Sequence, residues 1–202
     1  MRSEQAAATR EKLLETAKSL FAEKGYHGTP VRAINRSLKM GDGILYHYFP
    51  GGKREILSVL IQESFERRKE VIGHTNRTIE QLDLREALLI FISKLFDLFI
   101  ADLDLVKILF RESDLLEWEE SRLLSSWMEE QISIFIAFLN RRRDNGEIKA
   151  NLDTTIATRQ LIAMVMQLGI SRITGLSVIN VPDVDEYFEN IVDFTIDLWK
   201  NP

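Results

Sequence analysis

Apolar residues recur at intervals of three and four along almost the whole chain, the spacing that places them on one face of an α-helix. Only 10 glycines and 4 prolines interrupt this pattern in 202 residues, so long helices can form and strand-rich folds are disfavoured. The sequence therefore predicts an all-α protein of about nine helices without strands. The predicted helices span about residues 6–24, 30–38, 42–48, 53–72, 84–100, 105–112, 117–144, 153–174 and 182–200.

Charge is distributed unevenly along the chain. Residues 1–54 contain ten Lys and Arg against five Asp and Glu, although the whole chain has a formal net charge of −5. The remaining residues therefore carry the excess of acidic groups. A basic N-terminal quarter on an acidic body indicates a polyanion partner for that end, but a solvated surface gives the same count. Both interpretations stay open until the motifs are considered.

Several protein classes are excluded by what the sequence lacks. It has no cysteine, so it has no disulfide, no thiolate zinc site and no cysteine nucleophile. The three histidines, His27, His47 and His74, lack metal-binding spacing, and no P-loop, dinucleotide-binding glycine pattern or nucleophile elbow occurs. We therefore expect no enzymatic activity, no metal and no cofactor. With no signal peptide and no apolar run of about 20 residues, we expect a cytoplasmic protein without a membrane partner.

Two short predicted helices, at about 30–38 and 42–48, are separated by a turn of three or four residues and follow a longer helix. This order is typical of a helix-turn-helix motif, whose second helix lies in the major groove of DNA. In that second helix Leu45 is predicted to face inward, and Ile44, Tyr46 and His47 to face outward. Such side chains suit base edges and thymine methyl groups. Three aromatic residues in seven could equally pack a small core.

The predicted second helix and the residue after it read Gly43-Ile44-Leu45-Tyr46-His47-Tyr48-Phe49. The preceding and following segments add further matches. These are Arg10, Leu13, Leu14, Ala17, Leu20, Phe21, Gly25, Tyr26, Thr29, Val31, Arg32, Ile34, Lys53 and Leu57. With these residues the first 57 positions resemble the TetR family of bacterial transcriptional regulators. The resemblance implies a three-helix DNA-binding domain at residues 1–52, with its motif at about 30–49, and a helical ligand-binding and dimerisation domain at 53–202.

The resemblance also implies which residues contact DNA. Thr29 and Arg32 are expected at backbone phosphates, and Lys53 at the start of the next helix is expected to bind phosphate beside free N–H groups. Contacts with bases and phosphates are expected from Asp42, Gly43, Ile44, Tyr46, His47 and Tyr48. Asp42 has two interpretations, because its carboxylate could favour the positive end of the helix dipole or accept from cytosine N4.

The chain departs from the family pattern at several positions around the turn. Asn35 and Leu38 stand where the family favours alanine, and Lys39 stands where it favours glycine. Lys39 is therefore expected to adopt a strained conformation or to shift the turn. Gly41 replaces a Ser or Thr helix cap, which costs a few tenths of a kcal/mol. Residues 50–52 contain one extra residue before the next helix.

The body contains two further sets of candidate residues. Aromatic and methionine side chains are candidates to line a pocket for a small apolar or aromatic effector, although each also fits an ordinary core. The pocket candidates are Phe96, Phe99, Phe110, Trp127, Met128, Phe135, Met164 and Gln167. The resemblance implies that the last two helices pair with their copies in a homodimer. The predicted interface residues are Leu161, Leu168, Phe188, Ile191 and Leu198, with Gly169 allowing close approach of the backbones.

These features lead to one functional interpretation and one alternative. The chain is interpreted as a sequence-specific DNA-binding regulator, a homodimeric repressor released from a palindromic double-stranded operator by a small apolar ligand. The alternative is a helical small-molecule sensor or carrier whose N-terminal domain no longer binds DNA. The changed turn, with Lys39 and Gly41, is the feature that favours the alternative.

Overall fold

The computed structural model describes residues 2–112, 119–175 and 181–200, and every regular element in these ranges is an α-helix. The helices are α1 (Arg2–Lys24), α2 (Val31–Ser37), α3 (Ile44–Tyr48), α4 (Gly52–Ile79), α5 (Leu84–Ile100), α6 (Leu103–Arg111), α7 (Glu119–Asp144), α8 (Thr154–Thr174) and α9 (Val184–Trp199). These described ranges contain no strand, and the predicted all-α class is confirmed. Over the same ranges, no helix combines the length and apolar character needed to span a membrane.

Helix ends agree with the sequence where a local residue determines them. Gly25 ends α1 with a φ of 83°, and the Asp153 carboxylate caps α8 by accepting from two backbone amides. The largest difference is α4, which continues to Ile79 instead of ending near residue 72. Ile79 is buried in a core, so its burial favours extending the helix through the polar segment before it. The predicted start of α7 at residue 117 lies outside the described residues.

The chain divides into two compact units. The first comprises Met1–Arg67 and Asp102–Leu124, and the second comprises Arg68–Ala101 and Ser125–Pro202. The first unit therefore includes α6 in addition to the N-terminal helices. This division by packing does not coincide with the predicted functional boundary between residues 52 and 53, because α4 continues the core of the first unit beyond that point. The functional domain assignment stays a prediction.

The first unit has one apolar core, to which α1, α2, α3, α4 and α6 all contribute. Its largest fully buried side chains are Leu13, Leu14, Phe21, Ile34, Leu45, Phe49, Ile56, Leu57 and Ile61. The Asp102 carboxylate, 8% exposed, caps α6 by accepting from the Leu105 amide. It also pairs with Lys18 of α1 at 3.2 Å and with Arg67 of α4 at 3.5 Å. One buried carboxylate thus fixes α6 to both neighbouring helices.

In the second unit α5 packs against both α8 and α9. Gly169 of α8 lies against the Phe99 ring of α5, where an added Cβ would be 2.5 Å from two ring carbons. The backbones of α5 and α8 can therefore approach because residue 169 lacks a side chain. The predicted role of Gly169 between two subunits is corrected, since its close neighbour belongs to the same unit.

Three of the predicted dimer-interface residues also lie in the core of the second unit. Leu161, Leu168 and Phe188 are 1%, 4% and 2% exposed. Their assignment to the interface is wrong for this structure, because the faces of α8 and α9 that carry them are covered within the unit. Ile191 is half-buried and Leu198 is 50% exposed, so these two remain accessible to a second chain.

Candidate nucleic-acid interface

Helix α3 has one buried face and one exposed face. Leu45 and the following Phe49 are fully buried in the first unit, and they anchor the helix. On the other face Ile44 is 37% exposed and Tyr46 is 51% exposed, and His47 is exposed as well. The predicted inward and outward positions are therefore those of the structure. A five-residue helix with these outward side chains has the form required to enter a major groove.

The other predicted positions of this segment differ in accessibility. Asp42 and Gly43 are exposed, whereas Tyr48 is half-buried and packs against the core of the first unit. Neighbouring rings of His47 and Tyr48 meet edge to face with centroids 5.1 Å apart. Tyr48 therefore combines a packing role with the predicted DNA contact, and part of its surface is already covered before DNA binds.

The turn between α2 and α3 is held by Asn35, which is buried in α2. Its side-chain amide nitrogen donates to the Asp42 carbonyl oxygen at 2.8 Å. Its side-chain oxygen accepts from the backbone amide of Leu45 at 3.2 Å. Both polar ends of one side chain thus bind the segment that begins α3, whose N-cap residue Gly43 makes no side-chain capping bond.

Lys39 adopts a left-handed conformation with a φ of 55°, which is the first of its two expected outcomes, a strained backbone. Among the residues that the structure describes, every other positive φ belongs to a glycine. Lys39 directly follows Leu38, the C-cap of α2. The Cβ atom of an L-residue is crowded in this conformation, so strain is stored in the turn. The chain tolerates this strain without shifting the turn out of a helix-turn-helix arrangement.

Replacing Lys39 with glycine is expected to raise the free energy of unfolding by about 0.5–1 kcal/mol. Glycine removes the Cβ strain, although its greater freedom in the unfolded chain offsets part of the gain. Urea unfolding followed by circular dichroism measures the change. Ser37→Gly is the matched control, because Ser37 is exposed within α2 and glycine there should lower stability. A destabilised Lys39→Gly variant would show that the left-handed conformation is not strained.

The predicted phosphate contact of Thr29 is corrected by its burial. Thr29 is 0% exposed, and its single hydroxyl hydrogen is shared between the carbonyl oxygens of Gly25 at 2.8 Å and Leu20 at 3.2 Å. The residue therefore closes the connection between α1 and α2, and it is not the N-cap of α2, a position held by Pro30. Arg32, in the first turn of α2, is exposed as a phosphate contact requires.

Lys53 is also engaged within the first unit. Its ammonium donates to the carbonyl oxygens of Tyr26 at 2.8 Å, Thr29 at 3.4 Å and His27 at 3.5 Å. It lies 4.4 Å from the centroid of the Tyr26 ring. Burial lowers the pKa of Lys53 below its ordinary value, and the Glu112 carboxylate opposes that shift. The Lys53 ammonium is therefore directed at the connection between α1 and α2 in this structure, and its contact with a DNA phosphate stays a prediction.

The extra residue before Lys53 is accommodated by a glycine in the left-handed conformation. Gly52 begins α4 with a φ of 65°, and an added Cβ would lie 3.2 Å from the Tyr46 ring. The Glu55 carboxylate accepts from the Gly51 amide at 2.8 Å and stabilises this helix start. The segment 50–52 therefore places the start of α4 directly beside an outward side chain of α3.

The structure does not bring all predicted pocket residues together. Phe96 and Phe135 share the core of the second unit, where Phe135 stacks on Phe91 with ring centroids 3.5 Å apart. Phe99 and Met164 are half-buried, and Trp127 is buried. Three further candidates lie on the surface of the described chain, and their assignment to a pocket stays a prediction. These are Phe110, 66% exposed, Met128, 41% exposed, and Gln167, which is exposed.

Two residues beside α3 were not selected from the sequence as functional. From the sequence, Asn35 is only a departure from an alanine position. The signal that identifies it is the glycine at position 41, because a helix that lacks a Ser or Thr cap needs an acceptor from another residue. Arg36 is exposed in the last turn of α2, adjacent to the turn. A cation at this place adds to the positive charge that the N-terminal segment presents to a polyanion.

Residues 13–60 match the model of "Bacterial regulatory proteins, tetR family". The "Fatty acid metabolism regulator protein" of Bacillus subtilis (strain 168) is 31% identical over 157 residues, which cover 74% of this chain and 75% of that protein.

Two solved structures show a similar fold at low sequence identity. The ketosteroid transcriptional regulator KstR2 of Mycobacterium tuberculosis superposes with a TM-score of 0.71 at 19% identity, covering 96% of each chain. AibR, solved in complex with isovaleryl coenzyme A and operator DNA, superposes with a TM-score of 0.66 at 18% identity, covering 92% of this chain and 96% of AibR.

Proposed function

Because the chain belongs to the tetR family of bacterial regulatory proteins, we propose that it is a homodimeric repressor released from a palindromic operator by a small apolar ligand. Membership of the family makes the chain a DNA-binding transcriptional regulator, which confirms the sequence-based resemblance. Repression, the symmetric operator, the dimer and the ligand are the proposed parts, and a cytoplasmic location remains a prediction.

The exposed face of α3 is the observation that carries the proposed DNA reading. Tyr46 and His47 offer hydrogen-bonding groups, and Ile44 offers an apolar surface of the kind that contacts thymine methyl groups. Arg32 and Arg36 are exposed on the preceding helix, where cations can bind the phosphate backbone. The alternative interpretation, a carrier that no longer binds DNA, gains no support from the turn, because α3 is anchored and keeps its outward side chains.

Exposed apolar side chains on the last two helices support the proposed dimer. On α9, Phe194 is 58% exposed and Leu198 is 50% exposed, and Ile191 precedes them at the spacing of one helix face. On α8, Ile156 is 63% exposed and Ile170 is 45% exposed. A second copy covering these faces would remove them from water, and two linked copies of α3 would bind two half-sites together.

The proposed ligand class rests on the relatives and on the composition of the second unit. One relative is named for fatty acid metabolism, and AibR was crystallised with an acyl coenzyme A. The second unit of this chain is rich in aromatic side chains, among them Phe96, Phe135 and Trp127. These observations favour an acyl chain as the apolar ligand. The acyl chain is tested as its coenzyme A thioester.

The testing experiment first selects DNA and then adds the ligand. The 202-residue chain is used to enrich duplexes of about 20 base pairs, enough for two half-sites, from a random library. Fluorescence anisotropy then measures its affinity for the selected duplex and for a scrambled duplex at several salt concentrations. We expect a palindromic consensus, and we expect affinity to fall steeply with salt because phosphate contacts release counterions. Saturating isovaleryl or palmitoyl coenzyme A should weaken selected-duplex binding by about 5–150-fold, the usual range of allosteric coupling.

Each outcome bears on a separate part of the proposal. Enrichment of no sequence would favour the sensor or carrier interpretation. An asymmetric consensus would contradict the dimer on a palindromic site. Unchanged duplex affinity with both acyl thioesters at saturation, with free coenzyme A as the control, would remove the acyl ligand and leave DNA binding intact.

A further inference from the structure

We propose that Asn35 is a positioning residue for DNA reading, because it caps the recognition helix α3 from the neighbouring helix α2 and sets its register. This inference rests on the proposed reading of DNA by α3. It assigns to this chain a specificity determinant that does not touch DNA itself. Asn35 is fully buried, so its effect on DNA must be transmitted through α3.

The first part of the argument is the missing local cap. The opening amides of an α-helix have no carbonyl partner within the helix, and a side-chain oxygen at the N-cap normally accepts from one of the next two or three amides. In α3 the N-cap is Gly43, and it makes no side-chain capping bond. Gly41, within the turn, has no side-chain oxygen either, so neither glycine can supply the acceptor.

Asn35 supplies the missing acceptor from outside the helix. Its Oδ1 atom accepts from the backbone amide of Leu45, the second residue of α3, at 3.2 Å. The second helical amide is one of the two, together with the third, that an N-cap side chain normally binds. The capping oxygen therefore comes from a residue ten positions earlier, and the start of α3 is tied directly to α2.

The second hydrogen bond fixes the direction of the turn. Asn35 Nδ2 donates to the Asp42 carbonyl oxygen at 2.8 Å. The donor of this side-chain amide therefore binds the residue before the N-cap of α3, and its acceptor binds the second residue of the helix. The Asn35 carbonyl oxygen also accepts from the Met40 amide at 2.9 Å, within the same turn. A buried amide with both ends satisfied admits one orientation, because rotating it would leave polar groups unpaired.

The position of α3 determines where its outward side chains meet the base edges. Leu45, whose amide Asn35 binds, lies between Ile44 and Tyr46, the exposed residues proposed to enter the groove. A small shift of α3 would leave phosphate contacts from α2 in place and misalign the groove contacts. Losing Asn35 should therefore reduce discrimination between DNA sequences more than it reduces binding to random DNA.

The experiment compares Asn35→Ala and Asn35→Asp with the wild type and with Ile61→Val. Ile61 is fully buried in the core of the first unit on α4, so its truncation lowers stability without removing a bond to α3. Affinities for the selected duplex and for its scrambled version are measured well below each unfolding midpoint. We expect the affinity ratio to fall at least about tenfold in Asn35→Ala and to stay unchanged in Ile61→Val.

Amide hydrogen exchange at Leu45 tests the capping bond independently of DNA. In Asn35→Ala the Leu45 amide should exchange faster relative to the other core amides of the first unit. In Ile61→Val the exchange rates of Leu45 and of the other core amides should rise by the same factor. Asn35→Asp keeps the acceptor for Leu45 and loses the donor to Asp42, so its Leu45 amide should stay protected while the affinity ratio falls.

Two results would overturn the inference. One is an unchanged affinity ratio in a folded Asn35→Ala protein, which would make the residue purely structural. The other is rapid exchange of the Leu45 amide in the wild type. If Asn35→Ala does not fold, an unchanged affinity ratio in a folded Asn35→Asp protein overturns the inference instead. A wild type that selects no DNA sequence would instead contradict the proposed function, and the exchange measurement would still test the cap.

Discussion

Replacing Phe194 with aspartate is expected to produce a helical monomer whose affinity for the selected duplex is at least about 100-fold weaker. Phe194 is 58% exposed on α9, and a dimer through this face would bury it. A carboxylate there would be removed from water without a partner, which is strongly destabilising for the association. Sedimentation velocity measures the mass of the particle, and circular dichroism checks that the helices remain.

The control for this prediction is Leu123→Asp. Leu123 is 57% exposed on α7, so the change introduces the same charge at a similarly exposed apolar position outside α8 and α9. This variant should remain a dimer and keep its DNA affinity. If the Leu123→Asp protein is a monomer and the Phe194→Asp protein is still a dimer, the interface lies on α7 instead. A wild type that sediments as a monomer would contradict the dimer altogether.

Arg142→Ala is expected to lower the free energy of unfolding by about 2–3 kcal/mol. The Arg142 side chain is 14% exposed, and one guanidinium nitrogen donates to both carboxylate oxygens of Glu147 at 3.0 and 3.2 Å. The other donates to the carbonyl oxygens of Leu82 at 2.7 Å and Glu80 at 3.3 Å, in the connection between α4 and α5. Alanine would leave these acceptors unpaired in a partly buried place.

The neighbouring arginine gives a matched control. Arg143 pairs only with the adjacent, largely exposed Asp144 among the contacts described, so Arg143→Ala should change stability by less than about 0.5 kcal/mol. Urea unfolding at one fixed protein concentration compares the two variants, since dimerisation would make the midpoint depend on concentration. Equal midpoints would show that the contacts of Arg142 with the α4–α5 connection contribute little.

The sequence determined the elements whose causes are local. Gly25 ends α1 and Asp153 begins α8, because a left-handed glycine and a capping carboxylate act on the backbone within a few residues. The inward Leu45 and outward Tyr46 of α3 likewise follow from helical periodicity alone. The strained conformation of Lys39 was one of two expected consequences of placing a side chain at a glycine position.

Only the tertiary structure decided how polar groups and apolar faces find their partners. The sequence predicts phosphate contacts for Thr29 and Lys53, whereas in the structure both side chains bind carbonyl oxygens of the connection between α1 and α2. Periodicity identifies an apolar face but not what covers it. The sequence therefore predicts a second chain over Leu161 and Phe188, whereas their own unit buries them. Asn35 shows the same limit, because a capping bond across ten residues depends on the packing of α2 against α3, which no local pattern contains.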